Sequence, residues 1–136
     1  MKRLVVWFVM GVLLVACQSG PPEPVGATVG DIPIIEGAEP LDPDTLPMSL
    51  IAITQVHSET VDDEAVGHFR VEMPLLDTIE WYDDELERFE WRLVDVLEFG
   101  DGGFVRRYHR GQQRVIVAFE PEDDYTRFLL MQGEVR

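Results

Sequence analysis

The chain predicts an α+β domain, a single antiparallel sheet in the order β-β-α-β-β-β-β packed on one amphipathic helix. Three observations carry that expectation. Ile79, Tyr82, Leu86 and Phe89 recur at spacings of three, four and three, which is the stripe of a helix with one buried face. Apolar, β-rich runs then follow between residues 92 and 131, broken by Gly100-Asp101-Gly102-Gly103, Gly111-Gln112 and the acidic segment Glu120 to Asp124. Connections this short join neighbouring antiparallel strands, so the C-terminal part reads as a meander.

Lys2 and Arg3 precede an apolar run from Leu4 that ends at Leu14-Val15-Ala16-Cys17. That run is shorter than the roughly 20 apolar residues of a membrane-spanning helix, so residues 1–16 read as a secretory signal. Residues 17–30 are rich in Pro, Gly and small side chains around Pro21-Pro22-Glu23-Pro24 and read as a flexible tether. At roughly 3.1 Å per residue such a segment reaches about 30 to 40 Å. The domain itself is expected over 31–136. It opens with the short apolar stretch Asp31 to Ala38, followed by an irregular segment holding Pro40, Pro43 and Pro47.

Ser49 to Val56, almost wholly apolar or β-branched, is expected as the first strand, and His57 to Glu64 as an acidic turn. Val66 to Met73 is the second strand, with Phe69, Val71 and Met73 alternating with polar neighbours, and Pro74 ends it. The helix is expected over 75–90, with Asp77 as its cap, Glu80 completing a capping box and Asp84 paired to Arg88. Strands follow at Arg92 to Phe99, Phe104 to Arg110, Arg114 to Glu120 and Tyr125 to Met131. Trp81 lies one position off the helical stripe and is expected to flank the core.

Composition narrows the function classes. Cys17 is the only cysteine, and beyond it stand nine arginines, no lysine and all 26 acids, a side-chain charge of −17. Such a balance opposes binding to nucleic acid or to bare anionic lipid. Lysine chemistry is excluded, and Ser19, Ser49 and Ser58 lie in no Gly-x-Ser-x-Gly elbow. Phosphate-loop and dinucleotide fingerprints are absent. The carboxylates Glu80, Asp83, Asp84, Glu85, Glu87 and Glu90 fall mostly off the apolar stripe, as a solvated helix face does. The chain is therefore not expected to be an enzyme. His57, Asp62, Asp63, Glu64 and His68 offer nitrogen and oxygen atoms suited to zinc, but their spacing matches no ligand motif and reads as a structural turn. Glu120, Glu122, Asp123 and Asp124 lack the glycine-centred loop of a calcium site. No metal or cofactor is expected.

The charge is uneven. Residues 105–136 hold six arginines against five acids, while the preceding part of the processed chain holds three against 21. Arg106, Arg107, Tyr108, Arg110 and Arg114 concentrate on one hairpin and are the candidate partner-binding residues, because Arg and Tyr dominate interface hot spots. The competing reading pairs these arginines with acids of the same domain.

The basic start, the apolar run and Leu14-Val15-Ala16-Cys17 resemble the lipobox of bacterial lipoproteins. The resemblance implies diacylation of Cys17 and removal of residues 1–16, and Gln18, standing where an Asp would retain the protein at the inner membrane, implies the outer membrane of a two-membrane cell. Ile32-Pro33-Ile34-Ile35-Glu36-Gly37-Ala38, Trp81-Tyr82, Leu86 and Trp91 are similar to small bacterial lipoprotein domains with one helix on an antiparallel sheet, though Glu90 stands where those domains carry glycine. Together these readings set the expectation: an envelope lipoprotein held to the membrane by acyl chains, acting as a non-catalytic interaction or assembly module through the arginine-rich hairpin or an open sheet edge. A small-molecule- or metal-binding envelope protein is the alternative.

Overall fold

A computed structural model describes residues 22–136. The signal segment, Cys17 and the first part of the tether lie outside the described residues. The architecture is α+β, with a six-stranded antiparallel sheet, a helix on each face and a small two-stranded ribbon.

The ribbon comprises β1 (Thr28–Val29) and β2 (Ile32–Pro33), closed by Gly30 at φ +58. The ordered domain thus begins with Thr28, inside the segment expected to be tether. The reason is a buried amide. Gln132 Oε1 accepts from Asp31 N at 2.7 Å and its Nε2 donates to Asp31 Oδ2 at 2.8 Å, clamping the ribbon to the last strand. A Cβ on Gly30 would meet Gln132 Oε1 at 2.6 Å, so this turn has no room for a side chain.

The short strand β3 (Glu39–Pro40) pairs with β4 (Val61–Val71), and between them lie a 3-10 turn and the helix α1 (Met48–Ser58). Here the expectation of a strand over Ser49 to Val56 is corrected, and the acidic turn shrinks to Glu59-Thr60. The helical stripe of α1 is Leu50, Ile53, Thr54 and His57, while Met48, Ala52 and Val56 are exposed. Polar residues on the inner face and apolar ones on the outer face erase the period that would have announced a helix. Tertiary burial overrides the β-branched composition: fully buried Leu50 packs on Val105, Ile116, Ala118, Leu129 and Met131.

The second helix, α2 (Leu75–Arg88), covers the opposite face with Ile79, Tyr82 and Leu86 buried. Asp77 forms no cap; Pro74 holds the N-cap position and Thr78 Oγ1 donates to Pro74 O at 2.9 Å instead. Arg88 pairs with Glu85 and not with Asp84. The helix ends in a Schellman turn, with Glu90 N donating to Glu87 O and Trp91 N to Leu86 O. Glu90 sits at φ +67, where glycine is the residue without strain. Trp81 meets Tyr82 edge-on at 4.8 Å between centroids and flanks the core. The Tyr82 hydroxyl, fully buried, donates to Pro33 O and accepts from Ile35 N, which ties the entry segment to the helix.

The meander follows as expected: β5 (Arg92–Phe99), β6 (Gly103–Arg110), β7 (Gln113–Glu122) and β8 (Tyr125–Val135). Sheet order is β3-β4-β8-β7-β6-β5. Because α2 carries the chain across the whole sheet before β5, the meander returns from the far edge and β8 lands beside β4. That leaves β5 as an outer edge. Alternation then sorts the interior: Val115, Val117, Phe119, Phe128 and Leu130 face α2, whereas Ile116, Ala118, Leu129 and Met131 face α1.

Candidate functional site

Period-two alternation splits the arginine-rich hairpin between the two faces of the sheet. Arg106, Tyr108 and Arg110 point toward α2. Arg106 makes a two-pronged bond to Asp83, Nε to Oδ1 at 2.7 Å and Nη2 to Oδ2 at 2.6 Å, and the Tyr108 hydroxyl donates to the same carboxylate. Burial and the neighbouring Asp83 carboxylate push the Tyr108 hydroxyl above its ordinary range, so it remains a donor. Arg110 donates to Phe89 O at 2.8 Å, lies 4.2 Å from the Trp91 ring centroid and reaches Asp31 at 3.3 Å. These three candidates are engaged inside the domain, holding α2 to the sheet. The sequence puts Asp83 on a solvated face, yet its place four residues after Ile79 and three before Leu86 borders the buried stripe.

Arg107 and Arg114 point to the α1 face. Arg107 pairs with Asp95, its cross-strand neighbour, at 2.8 Å. Arg114 Nε donates to His109 Nε2 at 3.2 Å and Nη1 donates to Thr60 Oγ1 at 2.9 Å. His57, in the last turn of α1, shares this surroundings. Desolvation, then Arg114 and Arg107, hold its imidazole below the ordinary histidine value. The hairpin candidates are therefore not one ridge but two surfaces facing opposite ways.

His57 and His68 do not meet as ligands. His68, on β4, lies 3.2 Å from Thr54 Oγ1, and burial lowers its pKa. Among the described residues no group of three or more His, Cys, Asp or Glu side chains is placed to hold a metal ion. None of their helices is long and apolar enough to cross a membrane.

Two further features escaped the sequence reading. A cleft of about 400 Å³ opens between the C-terminal end of α2 and the start of β5, lined by Asp83, Glu87, Glu90, Trp91, Arg92, Leu93 and Tyr108. The Trp91 indole N–H is buried without a hydrogen-bond partner among the described residues. The second feature is the β5 edge, which exposes Leu93, Val94, Val96 and Leu97, the last at 54%. The opposite edge is treated otherwise. There β4 carries Asp62, Asp63 and Glu64 beside a bulge and is strapped by β3 with Pro40, all of which discourage further pairing. On β5 a bulge falls at Val94, which leaves Asp95 to Phe99 as regular strand. Comparison with protein-family models, with curated proteins and with solved structures finds no match.

Proposed function

We propose that the chain is a lipid-anchored envelope lipoprotein, a non-catalytic interaction module that captures a protein partner by strand addition at β5. The single observation behind this reading is the apolar β5 edge, uncovered on a sheet whose other edge is blunted and whose faces both carry helices. Strand addition takes its affinity from backbone hydrogen bonds and its selectivity from alternate side chains. The regular segment Asp95 to Phe99 offers Val96 and Leu97 to an apolar strand, while Glu98 and Asp101 beside it, on a chain of net charge −15, favour a partner with basic flanks. Acyl chains on Cys17 hold the module at the membrane, on the periplasmic face of the outer membrane in a two-membrane cell, and the tether sets its reach. On this reading the docking surface is the edge strand, and Arg106, Tyr108 and Arg110 serve internal bonding.

The test is site-specific photo-crosslinking in cells from Leu97, with exposed Leu76 on α2 as control and mass spectrometry of the adducts. One dominant protein from Leu97, absent from Leu76 and lost in Val96→Lys and in Cys17→Ala, is the expected result. Identical adducts from both positions would sink the edge as the docking surface. Palmitate labelling that persists in Cys17→Ala would sink the anchor.

A second reading is favoured by this cleft, where Glu87 and Glu90 stand beside Arg92 and the unpaired Trp91 indole N–H: a small amphipathic cation that also carries an acceptor oxygen, its ammonium meeting Glu87 and its oxygen accepting from the indole, held between α2 and β5. Thermal stabilisation by such cations, lost in Glu87→Gln, would promote it above the first. Calorimetric titration with zinc and calcium tests a metal form of this reading; absence of heat rejects it.

A further inference from the structure

Seven of the nine arginines among the described residues are paired with carboxylates: Arg70, Arg88, Arg106, Arg107, Arg110, Arg127 and Arg136. Arg92 and Arg114 have no carboxylate within salt-bridge distance among the described residues. These two are not scattered. Arg92 stands directly across from His109 in the β5–β6 ladder, and His109 stands directly across from Arg114 in the β6–β7 ladder. The three side chains form one cross-strand row on the α1 face, with Arg107 two residues along β6 and His57 behind it.

The row sets a guanidinium group on either side of one imidazole, with Arg107 close by, so like charges gather there without a counter-charge. A chain with 26 acids has ample means to neutralise such a row, and it does so at every other arginine among the described residues. Asp95, on the same face of the sheet, is already taken by Arg107. The donors are also held in place. His109 Nε2 accepts from Arg114 Nε, so the proton of a neutral imidazole is on Nδ1, and the Thr60 hydroxyl, which donates to His57 O at 2.8 Å, accepts from Arg114 Nη1. This leaves Arg114 Nη2, the Arg92 guanidinium and an imidazole N–H without acceptors among the described residues.

We infer that the Arg92–His109–Arg114 row is a binding site for a compact dianionic oxyanion, a phosphate monoester or free phosphate. Two guanidinium groups call for two negative charges, and a tetrahedral phosphate presents several acceptor oxygens to donors arriving from adjacent strands. The overall charge opposes extended polyanions and anionic membrane surfaces, so a small solute is the ligand that fits. The site is independent of the β5 docking surface, because it lies on the sheet face and uses no unpaired backbone.

The test is a titration of the full-length protein in non-ionic detergent with inorganic phosphate, with glycerol 3-phosphate, and with glycerophosphoglycerol, a phosphodiester that reproduces a lipid headgroup. Ionic strength is held constant with chloride, and the His109 ring resonances are followed. The expected result is a saturable shift with the two dianions and little with the diester. Binding should weaken about tenfold in Arg114→Gln, the loss of one charge-assisted hydrogen bond, and stay unchanged in Arg88→Gln. Thermal melting in phosphate-free, low-salt buffer supplies a readout that does not depend on binding. Relief of repulsion raises the midpoint of Arg114→Gln, whereas a merely structural arginine would lower it. Equal shifts in Arg114→Gln and the parent, or reproduction of the shift by chloride, would overturn the site. Equal binding of the diester would overturn the choice of a dianion in favour of a lipid headgroup.

Discussion

Arg106 and Arg107 are adjacent in sequence and on one strand, yet they live in different electrostatic worlds. Toward α2, Arg106 is 15% exposed and locked with Tyr108 on Asp83, while Arg110 closes the end of the same helix. Toward α1, Arg107 has one carboxylate, and beyond it Arg92, His109 and Arg114 line up with none. The first face is a closed network that binds two elements together. The second is a row of donors facing outward. The difference teaches that a basic run in a strand is two half-runs, and that the partner element behind each half decides whether its charge is structural or available.

The contrast breaks most sharply at Asp83. Asp83→Ala strands a largely buried guanidinium and a phenol together, and should cost about 2–4 kcal/mol in urea unfolding. An effect under half a kcal/mol would show that the α2 network is no more structural than the open row. Arg110→Ala removes the donor to Phe89 O and the stack on Trp91; the expected loss is about 1–2 kcal/mol by the same measurement. A change with the opposite sign is expected one position before Trp91. Glu90→Gly relieves the left-handed backbone at the end of α2 and should stabilise by about 0.5–1 kcal/mol, with destabilisation arguing that the Glu90 side chain is needed.

On the open face, Arg114→Gln should stay within about 0.5 kcal/mol of the parent at moderate salt, because it breaks no ion pair. The mildest probe is pH. His57 and His109 are held below their ordinary value, first by desolvation and then by Arg114 and Arg107, with Arg92 adding to His109. The unfolded chain takes up protons near pH 6.5 while the folded one resists, so stability present above that value falls as pH drops toward the folded-state values. His109→Gln should flatten this slope in melts across that range. An unchanged slope would shift the pH sensitivity to His57 and His68.

The two sheet edges repeat the lesson at the level of backbone. The β4 side is strapped, bulged and acidic, whereas β5 is apolar and bare apart from the bulge at Val94. Its exposure follows from topology: only a chain that crosses the sheet on α2 before starting the meander leaves the first meander strand outermost. Nothing in Leu93, Val94, Val96 or Leu97 taken alone separates a central strand from an edge.

By itself the sequence determined α2, the meander and its turns, because their signals are local: a three-four stripe, glycine-rich turns and alternating strands. It also determined that the hairpin from 103 to 114 is basic and the remainder acidic. Only the tertiary structure decided that Ser49 to Val56 is helical, since the uncovered second face of the sheet selects Leu50 and Ile53 for burial and leaves Val56 in water. Likewise, alternation alone divides Arg106 from Arg107, but only the packing of α2 brings Asp83 to one of them. The row Arg92–His109–Arg114 required strand register, which joins residues 22 positions apart and depends on every turn and bulge between them.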